Sequence, residues 1–121
     1  MKKKILIVED NEQNMRLLVD LLNVNGYETL QSVDGLDALA LAEVEMPDLI
    51  LMDIQLPEIS GTEVTKLFRS DEKLKHIPIV AVTAFSVPGE AERILDSGCD
   101  TYVSKPINAK TFLETVSNYV N

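Results

Sequence analysis

The chain has 121 residues, enough for one domain with one hydrophobic core. Hydrophobic residues make up 45 % of it, which is ordinary for a globular protein, and no apolar run approaches the roughly 20 residues of a membrane span. The formal net charge of −9 argues against non-specific binding to nucleic acid or to an anionic membrane, because both need a basic protein surface.

The first half of the chain alternates apolar runs with segments of helical periodicity. The run 4–9 is apolar almost throughout, which is typical of a strand buried on both faces. A helix is predicted over 11–25, with Asp10 or Asn11 as its N-cap and Gly26 placed to end it. A short strand over 27–31 follows. The next predicted helix, 34–43, has Leu36, Leu39, Ala40 and Glu43 at helical spacing.

The second half continues the same alternation. Residues 48–53 form the most hydrophobic predicted strand. A helix over 62–70 is expected to begin after Ser60, with Glu63 completing a capping box. The remaining predicted elements are a strand at 78–83, a helix from Val87 or Pro88 to Leu95, a strand at 101–103 and a helix at 108–120. Five strand–helix units in succession predict an α/β fold, a doubly wound parallel sheet with helices on both faces.

Cys99 is the only cysteine, so an internal disulfide is excluded and an intracellular, cytoplasmic location is favoured. The residue is interpreted as a small apolar filler of the core. Three lysines at positions 2–4 precede an apolar stretch of only four residues, which is too short for a signal peptide. The five units use up all 121 residues, so a single domain over 1–121 without an output domain is expected.

Ionisable side chains follow several of the predicted strands. Glu9 and Asp10 end the first strand and Asp53 ends the third, so parallel pairing of these strands would bring three acids to one edge of the sheet. Carboxylates about 5 Å apart repel by roughly 3 kcal/mol per pair at an effective dielectric of about 20. Such a cluster needs a cation or raised pKa values. Thr83 and Lys105 lie at the ends of the fourth and fifth strands.

These residue types suit phosphoryl chemistry with a hard divalent metal. Mg²⁺ prefers oxygen ligands, which Glu9, Asp10, Asp53 and a backbone carbonyl near Gln55 can supply. Asp53 is a candidate carboxylate nucleophile that would form an acyl phosphate, and it needs no general base because it is already ionised. Lys105 would supply a fixed cation for one phosphoryl oxygen, and the Thr83 hydroxyl would donate to another.

At these residues the chain resembles the receiver domains of response regulators in two-component signalling. The resemblance spans essentially the whole chain and is carried by VEDN at 8–11, DLILMDIQLPEISG at 48–61, IPIVAVTAF at 77–85 and YVSKPI at 102–107. Within the family, the similarity is greatest to single-domain regulators of the cell cycle, which implies cell-cycle or cell-division signalling. The segment from Ser86 to Pro88 departs from those regulators. The resemblance implies a flavodoxin-like receiver fold with strand order 2-1-3-4-5.

The resemblance also implies a role for each site residue. Asp53 matches the phosphoacceptor, Glu9 and Asp10 the metal-binding acids, and Gln55 the position that lends its carbonyl to Mg²⁺, with Mn²⁺ as a substitute. Thr83 matches the switch hydroxyl, Lys105 the phosphate-contacting lysine, Tyr102 the switch aromatic and Pro106 a residue preceded by a cis peptide bond.

The family further implies partners: a histidine kinase or histidine phosphotransferase as donor, and a downstream protein on the surface of helix four, strand five and helix five. Tyr102, Phe85 and Tyr119 are candidates for a partner-facing role. On this interpretation the chain is a phosphoacceptor that assists its own phosphorylation and dephosphorylation, and it is not a classical enzyme.

Other interpretations remain open at this point. A flavodoxin-like electron carrier would need a phosphate-binding loop after the first strand, where the acidic segment 9–12 would repel phosphate, and the chain has no tryptophan to stack on flavin. A Mg²⁺-dependent aspartyl phosphatase usually carries a second acid two residues after its nucleophile, where this chain has Gln55. A receiver within a hybrid kinase phosphorelay, or a pseudo-receiver that is never phosphorylated, would share the fold.

Overall fold

The predicted alternation of strands and helices is present in the computed structural model, which describes residues 2–84 and 88–120. The elements are β1 (Lys4–Val8), α1 (Glu12–Val24), β2 (Glu28–Ser32), α2 (Gly35–Glu45), β3 (Leu49–Asp53), α3 (Gly61–Ser70), β4 (Ile79–Thr83), α4 (Glu90–Asp96), β5 (Thr101–Ser104) and α5 (Ala109–Val120). All strand pairs are parallel, in the order β2-β1-β3-β4-β5. The predicted α/β fold and strand order are therefore confirmed.

The sheet separates two hydrophobic cores. Side chains of successive strand residues point to opposite faces, so in β1 Leu6 packs into one core and Ile7 into the other. Phe68 of α3 lies in the core that α2, α3 and α4 cover, and Phe112 of α5 lies in the core that α1 and α5 cover. Because both faces are covered, every residue of β3 and β4 is buried, as their apolar sequences predict.

Side-chain caps explain where α1 and α3 begin. The Asn11 side chain accepts a hydrogen bond from the backbone N–H of Asn14 at 2.9 Å, so Asn11 and not Asp10 caps α1. Ser60 accepts from the Glu63 N–H at 3.3 Å and caps α3 as predicted. These caps set the point at which the chain leaves each strand and enters a helix.

The predicted apolar face of α2 is correct for Leu39, which packs partly against the core, but wrong for Leu36. Leu36 is 60 % exposed, whereas Ala38 and Ala42 are fully buried. The reason is close packing of α2 on α3: a Cβ added to Gly35 would lie 2.2 Å from Cγ2 of Val64. Only small residues fit on that face, so the larger leucine at the start of the helix faces solvent.

The start of α4 also differs from its prediction. The helix begins at Glu90 rather than at Pro88, and Val87 lies outside the described residues. Gly89 has a φ of +78°, a left-handed conformation that prevents the helix from extending back to Pro88. Glu90 thereby becomes the first residue of the helix.

The buried position of Cys99 matches its interpretation as a core filler. Its Sγ lies 3.5 Å from the hydroxyl of Thr65, and burial raises the pKa of the thiol. Among the helices that the structure describes, none has the length and apolar content needed to cross a bilayer.

Replacing Asp34 with alanine is expected to destabilise the protein by about 1 kcal/mol, because Asp34 caps α2. Its carboxylate accepts a hydrogen bond from the Asp37 N–H at 2.7 Å. Urea unfolding would measure the loss. Asp34→Asn is the matched control, since asparagine caps helices about as well as aspartate. Equal losses for both variants would contradict the capping role.

Candidate metal centre at the carboxyl edge of the sheet

Three carboxylates lie together where β1 and β3 end. The two strands pair in parallel with Val8 opposite Met52, so the residues that follow them emerge at the same edge of the sheet. Glu9, Asp10 and Asp53 each present a carboxylate oxygen, and these oxygens lie within 4.8 Å of one another. The structure thus brings together the three acids that the sequence placed at strand ends.

The acids differ in burial and in hydrogen bonding. Glu9 is 1 % exposed and Asp53 is 3 % exposed, whereas Asp10 is exposed. Glu9 Oε2 accepts a hydrogen bond from the Asn11 N–H at 3.1 Å, and Asp53 Oδ1 accepts one from the Gln55 N–H at 3.0 Å. Glu9 Oε1 is buried and has no hydrogen-bond partner among residues 2–84 and 88–120. A buried carboxylate oxygen without a donor is costly unless a cation compensates its charge.

The pKa of Glu9 is raised from 4.5 to about 7, and the largest cause is burial. A hydrogen bond shared with Asp53 and the charge of that residue contribute to the rise, while the Asn11 N–H and the Lys105 ammonium oppose it. The environment of Glu9 is therefore short of positive charge, even with a lysine nearby.

Lys105 approaches both buried acids. Its Nζ lies 3.4 Å from Glu9 Oε1, at ion-pair distance but without hydrogen-bond geometry, and 3.4 Å from Asp53 Oδ1. The Lys105 N–H donates to the Thr83 carbonyl at 2.8 Å, and the Lys105–Pro106 peptide bond is cis, as the resemblance implied. The lysine is thus anchored at its backbone while its ammonium lies beside Asp53.

The donor set fits a hard divalent cation. It consists of carboxylate oxygens, one of which accepts no hydrogen bond from the described part of the chain, and it combines two buried acids with one exposed acid through which an ion can enter. Gln55 is exposed, and its backbone is held beside the cluster by the hydrogen bond to Asp53. The role of the Gln55 carbonyl as a ligand stays a prediction. A groove of about 430 Å³, lined partly by Glu9, Asp10 and Arg16, opens beside the cluster.

Thr83 ends β4, the strand next to β3, and Tyr102 lies on β5, the strand beyond it. Thr83 is 1 % exposed, and its hydroxyl donates a hydrogen bond of 2.6 Å to Oε2 of Glu90. Tyr102 is half-buried and packs partly against the core under α2, α3 and α4. Tyr119 is half-buried against the opposite core, and Phe85 lies outside the described residues. Their roles as switch or partner-facing residues remain predictions.

Sequence reasoning missed Glu90, the buried acid that binds the Thr83 hydroxyl. Glu90 is 6 % exposed and lies seven positions after Thr83. The sequence did contain one indication of this contact, namely an acid in the first turn of a helix that follows a strand ending in threonine. That signal was obscured because the helix was predicted to begin earlier.

Gly61 is a second residue whose importance the sequence did not reveal. A Cβ at this position would lie 2.2 Å from the carbonyl oxygen of Asp53 and 2.8 Å from Cα of Ile54. Its N–H donates to the Ile54 carbonyl at 3.0 Å. The start of α3 therefore packs directly on the backbone that carries Asp53, and only glycine permits this approach.

Replacing Gly61 with alanine is expected to destabilise the protein by about 1–3 kcal/mol and to displace the end of β3, because the new methyl group meets backbone atoms that cannot rotate away. Urea unfolding would measure the first effect, and the amide NMR shift of Gln55 would report the second. Thr62→Ala, one position further along α3, is the control. An unshifted Gln55 amide with unchanged stability would contradict the packing argument.

Comparison with known proteins places this geometry in a family. Residues 5–117 match the family model described as "Response regulator receiver domain". The chain is 56 % identical to the polar-differentiation response regulator DivK of Brucella ovis over 120 residues, covering 99 % of this chain and 98 % of that protein. The Brucella anthropi protein of the same name is 55 % identical with the same coverage.

Solved structures with the same fold support this assignment. The chemotaxis protein CheY4 of Vibrio cholerae superposes with a TM-score of 0.92 at 28 % identity, covering 98 % of this chain and 99 % of that chain. The receiver domain of a sensor histidine kinase from Pseudomonas aeruginosa PAO1, solved with a magnesium ion coordinated in its active-site cleft, superposes with a TM-score of 0.91 at 32 % identity, covering 99 % and 98 %. The chain therefore belongs to the family of response regulator receiver domains.

Proposed function

We propose that this receiver accepts a phosphoryl group on Asp53 from a phosphohistidine of a histidine kinase or histidine phosphotransferase. The observation that carries the proposal is the site itself: three carboxylate oxygens within 4.8 Å of one another, with the Lys105 ammonium 3.4 Å from Asp53. An Asp53 carboxylate oxygen attacks phosphorus, and the bond from phosphorus to the imidazole nitrogen breaks. The electron pair of that bond leaves with the imidazole, and an acyl phosphate remains on Asp53.

The chain's own residues prepare Asp53 for this reaction. The Gln55 N–H holds one carboxylate oxygen through its 3.0 Å hydrogen bond, which orients the side chain. The Lys105 ammonium is placed to pair with a phosphoryl oxygen, because it already lies beside Asp53. The Thr83 hydroxyl, at the end of the neighbouring strand, is the proposed donor to another phosphoryl oxygen.

Mg²⁺ is the proposed metal, held by Glu9, Asp10, Asp53 and the backbone carbonyl of Gln55, with Mn²⁺ as a substitute. When bound, the ion neutralises charge on the carboxylates and on the phosphoryl oxygens. Two observations support this assignment: the buried Glu9 Oε1, which accepts no hydrogen bond from residues 2–84 and 88–120, and the magnesium ion in the cleft of the related Pseudomonas aeruginosa receiver.

The proposed output is a change of the surface formed by α4, β5 and α5, which then binds a downstream protein. Phosphorylation adds about −1.5 to −2 charge and three acceptor oxygens at Asp53. Thr83 would move toward the phosphoryl group and Tyr102 would rotate inward. The proposed role is that of a phosphoacceptor that assists its own phosphorylation and dephosphorylation rather than of a classical enzyme.

The relatives suggest a biological setting for the proposal. The Brucella relatives are named polar-differentiation response regulators, and this chain covers 98 % of their length, which supports a role in cell-cycle or cell-division signalling for this receiver domain. The proposal includes a cytoplasmic location, with which the one buried, unpaired cysteine is compatible.

Intact mass spectrometry after incubation with acetyl phosphate tests the proposal. The wild-type protein is expected to gain one phosphoryl group when Mg²⁺ is present and none in EDTA, because the acids need a cation to accept a dianionic group. Asp53→Asn is expected to abolish the gain, since an amide is not a nucleophile at this position. The exposed Asp96 of α4 provides a matched control, Asp96→Asn, which should behave like the wild type. No gain with any phosphodonor, or an undiminished gain in Asp53→Asn, would overturn the assignment.

A further inference from the structure

The Thr83 hydroxyl is already committed to a hydrogen bond with α4. Thr83 is the last residue of β4 and is 1 % exposed, and Glu90 is the first residue of α4 and is 6 % exposed. Their side chains meet at 2.6 Å, with the hydroxyl as donor and Glu90 Oε2 as acceptor. That distance is in the range of a charge-assisted bond to a carboxylate, which is stronger than a bond between neutral groups.

A hydroxyl has a single proton to donate. Thr83 therefore cannot donate to Glu90 and to a phosphoryl oxygen on Asp53 at the same time. If Thr83 is the donor that stabilises the phosphorylated site, the bond to Glu90 has to break when that state forms. Glu90 and the phosphoryl group thus compete for the same proton.

We infer that Glu90 is a positioning residue that holds Thr83 in its unphosphorylated arrangement and links this hydroxyl to α4. The inference rests on the proposed function. When Thr83 turns to the phosphoryl group, the carboxylate of Glu90 loses a donor in a buried place, which is unfavourable. The first turn of α4 then has to shift so that the Glu90 carboxylate can accept a hydrogen bond from water or from another donor. Glu90 in this way transmits the phosphorylation state of Asp53 to α4, which forms part of the proposed partner surface.

Glu92 is the comparison that separates the hydrogen bond of Glu90 from the effect of its charge. It carries the same charge in the first turn of the same helix, but its side chain is exposed. Both acids interact favourably with the N-terminal end of the helix dipole. Of the two, Glu90 is the one hydrogen-bonded to Thr83, so substitutions at the two positions separate the hydrogen bond from the effect of charge.

The test is a titration of the Mg²⁺-loaded protein with beryllofluoride, which mimics a phosphoryl group, followed by backbone-amide NMR. Glu90→Ala is expected to tighten the apparent affinity about 3- to 10-fold, the factor that corresponds to one net hydrogen bond no longer opposing the active state. Glu90→Gln should fall between Glu90→Ala and wild type, because an amide oxygen still accepts a weaker bond. Glu92→Ala should leave the affinity unchanged.

A double variant distinguishes this role from a general effect on packing. In the Thr83→Ala background there is no hydroxyl to hold, so adding Glu90→Ala should change the beryllofluoride affinity by less than about 1.5-fold. An equal effect of Glu90→Ala in both backgrounds, or equal affinities of wild type, Glu90→Gln and Glu90→Ala, would overturn the inference while the proposed function stands. If the wild-type protein with Mg²⁺ does not respond to beryllofluoride, the proposed function fails, and the role of Glu90 fails with it.

Discussion

Replacing Glu9 with glutamine is expected to stabilise the metal-free protein by roughly 3 kcal/mol at pH 8 and to have almost no effect below pH 4.5. The pKa of Glu9 is raised from 4.5 to about 7 in the folded state, first by burial and then by Asp53. At about 1.4 kcal/mol per pKa unit, this displacement corresponds to the stated stabilisation.

The sign follows from proton binding. Between pH 4.5 and about 7 the folded protein keeps a proton on Glu9 that the unfolded chain has released, so the folded state loses stability relative to the unfolded state as the pH rises through this interval. Below 4.5 the carboxyl is neutral in both states and carries no penalty. Glutamine cannot titrate, so the difference in stability between the variant and the wild type grows over the same interval and levels off above pH 7.

Urea unfolding in EDTA from pH 4 to 8 measures this difference directly. Comparing each variant with wild type at the same pH cancels the contributions of the other carboxylates. Glu114→Gln, an exposed acid on α5, is the matched control and should show a flat difference near zero. A difference for Glu9→Gln that does not change with pH would contradict an abnormal titration of Glu9. Adding Mg²⁺ at pH 8 should stabilise the wild type more than Glu9→Gln, because the variant lacks one proposed ligand.

The fold class and the proximity of the acids could be predicted from local sequence because both depend on where strands end. Apolar runs of five or six residues identify buried parallel strands, and the ends of such strands meet at one edge. Glu9 and Asp53 directly follow or end two such runs, so their proximity needed no knowledge of side-chain packing. The strand order could not be read from these runs, because an apolar run does not indicate which other strand it pairs with, and the order came from the resemblance to receivers.

Features that depend on contact between distant elements were not predictable in this way. The exposure of Leu36 follows from the close approach of Gly35 to Val64, which belongs to another helix. The burial of Glu90 depends on the left-handed conformation of Gly89, which sets the first residue of α4. In each case a glycine is responsible: Gly35 acts through its close approach to Val64, and Gly89 acts through its own left-handed backbone conformation.

Replacing Lys105 with alanine is expected to destabilise the metal-free protein by about 1–3 kcal/mol at pH 8. Each attraction between its ammonium and a carboxylate at 3.4 Å amounts to about 5 kcal/mol at an effective dielectric of 20, whereas two carboxylates within 4.8 Å repel by about 3–4 kcal/mol. For Glu9 and Asp53 taken alone, the two attractions outweigh the one repulsion, so the lysine favours their proximity in the metal-free protein. The expected loss of stability is smaller than these electrostatic energies because Lys105 is 21 % exposed and Glu9 can take up a proton.

The same reasoning predicts that the loss of stability in Lys105→Ala depends on the charge of Glu9 and on the presence of Mg²⁺. The loss of stability in Lys105→Ala should be smaller in the Glu9→Gln background, since the repulsion that the lysine offsets is then absent. It should also be smaller in Mg²⁺, since the ion supplies positive charge to the same carboxylates. Lys110→Ala, an exposed lysine at the start of α5, is the control and should cost less than about 0.5 kcal/mol. Urea unfolding of the single and double variants with EDTA or Mg²⁺ would measure these terms. If Lys105→Ala costs the same in all four combinations, its ammonium does not act through Glu9 or through the metal site.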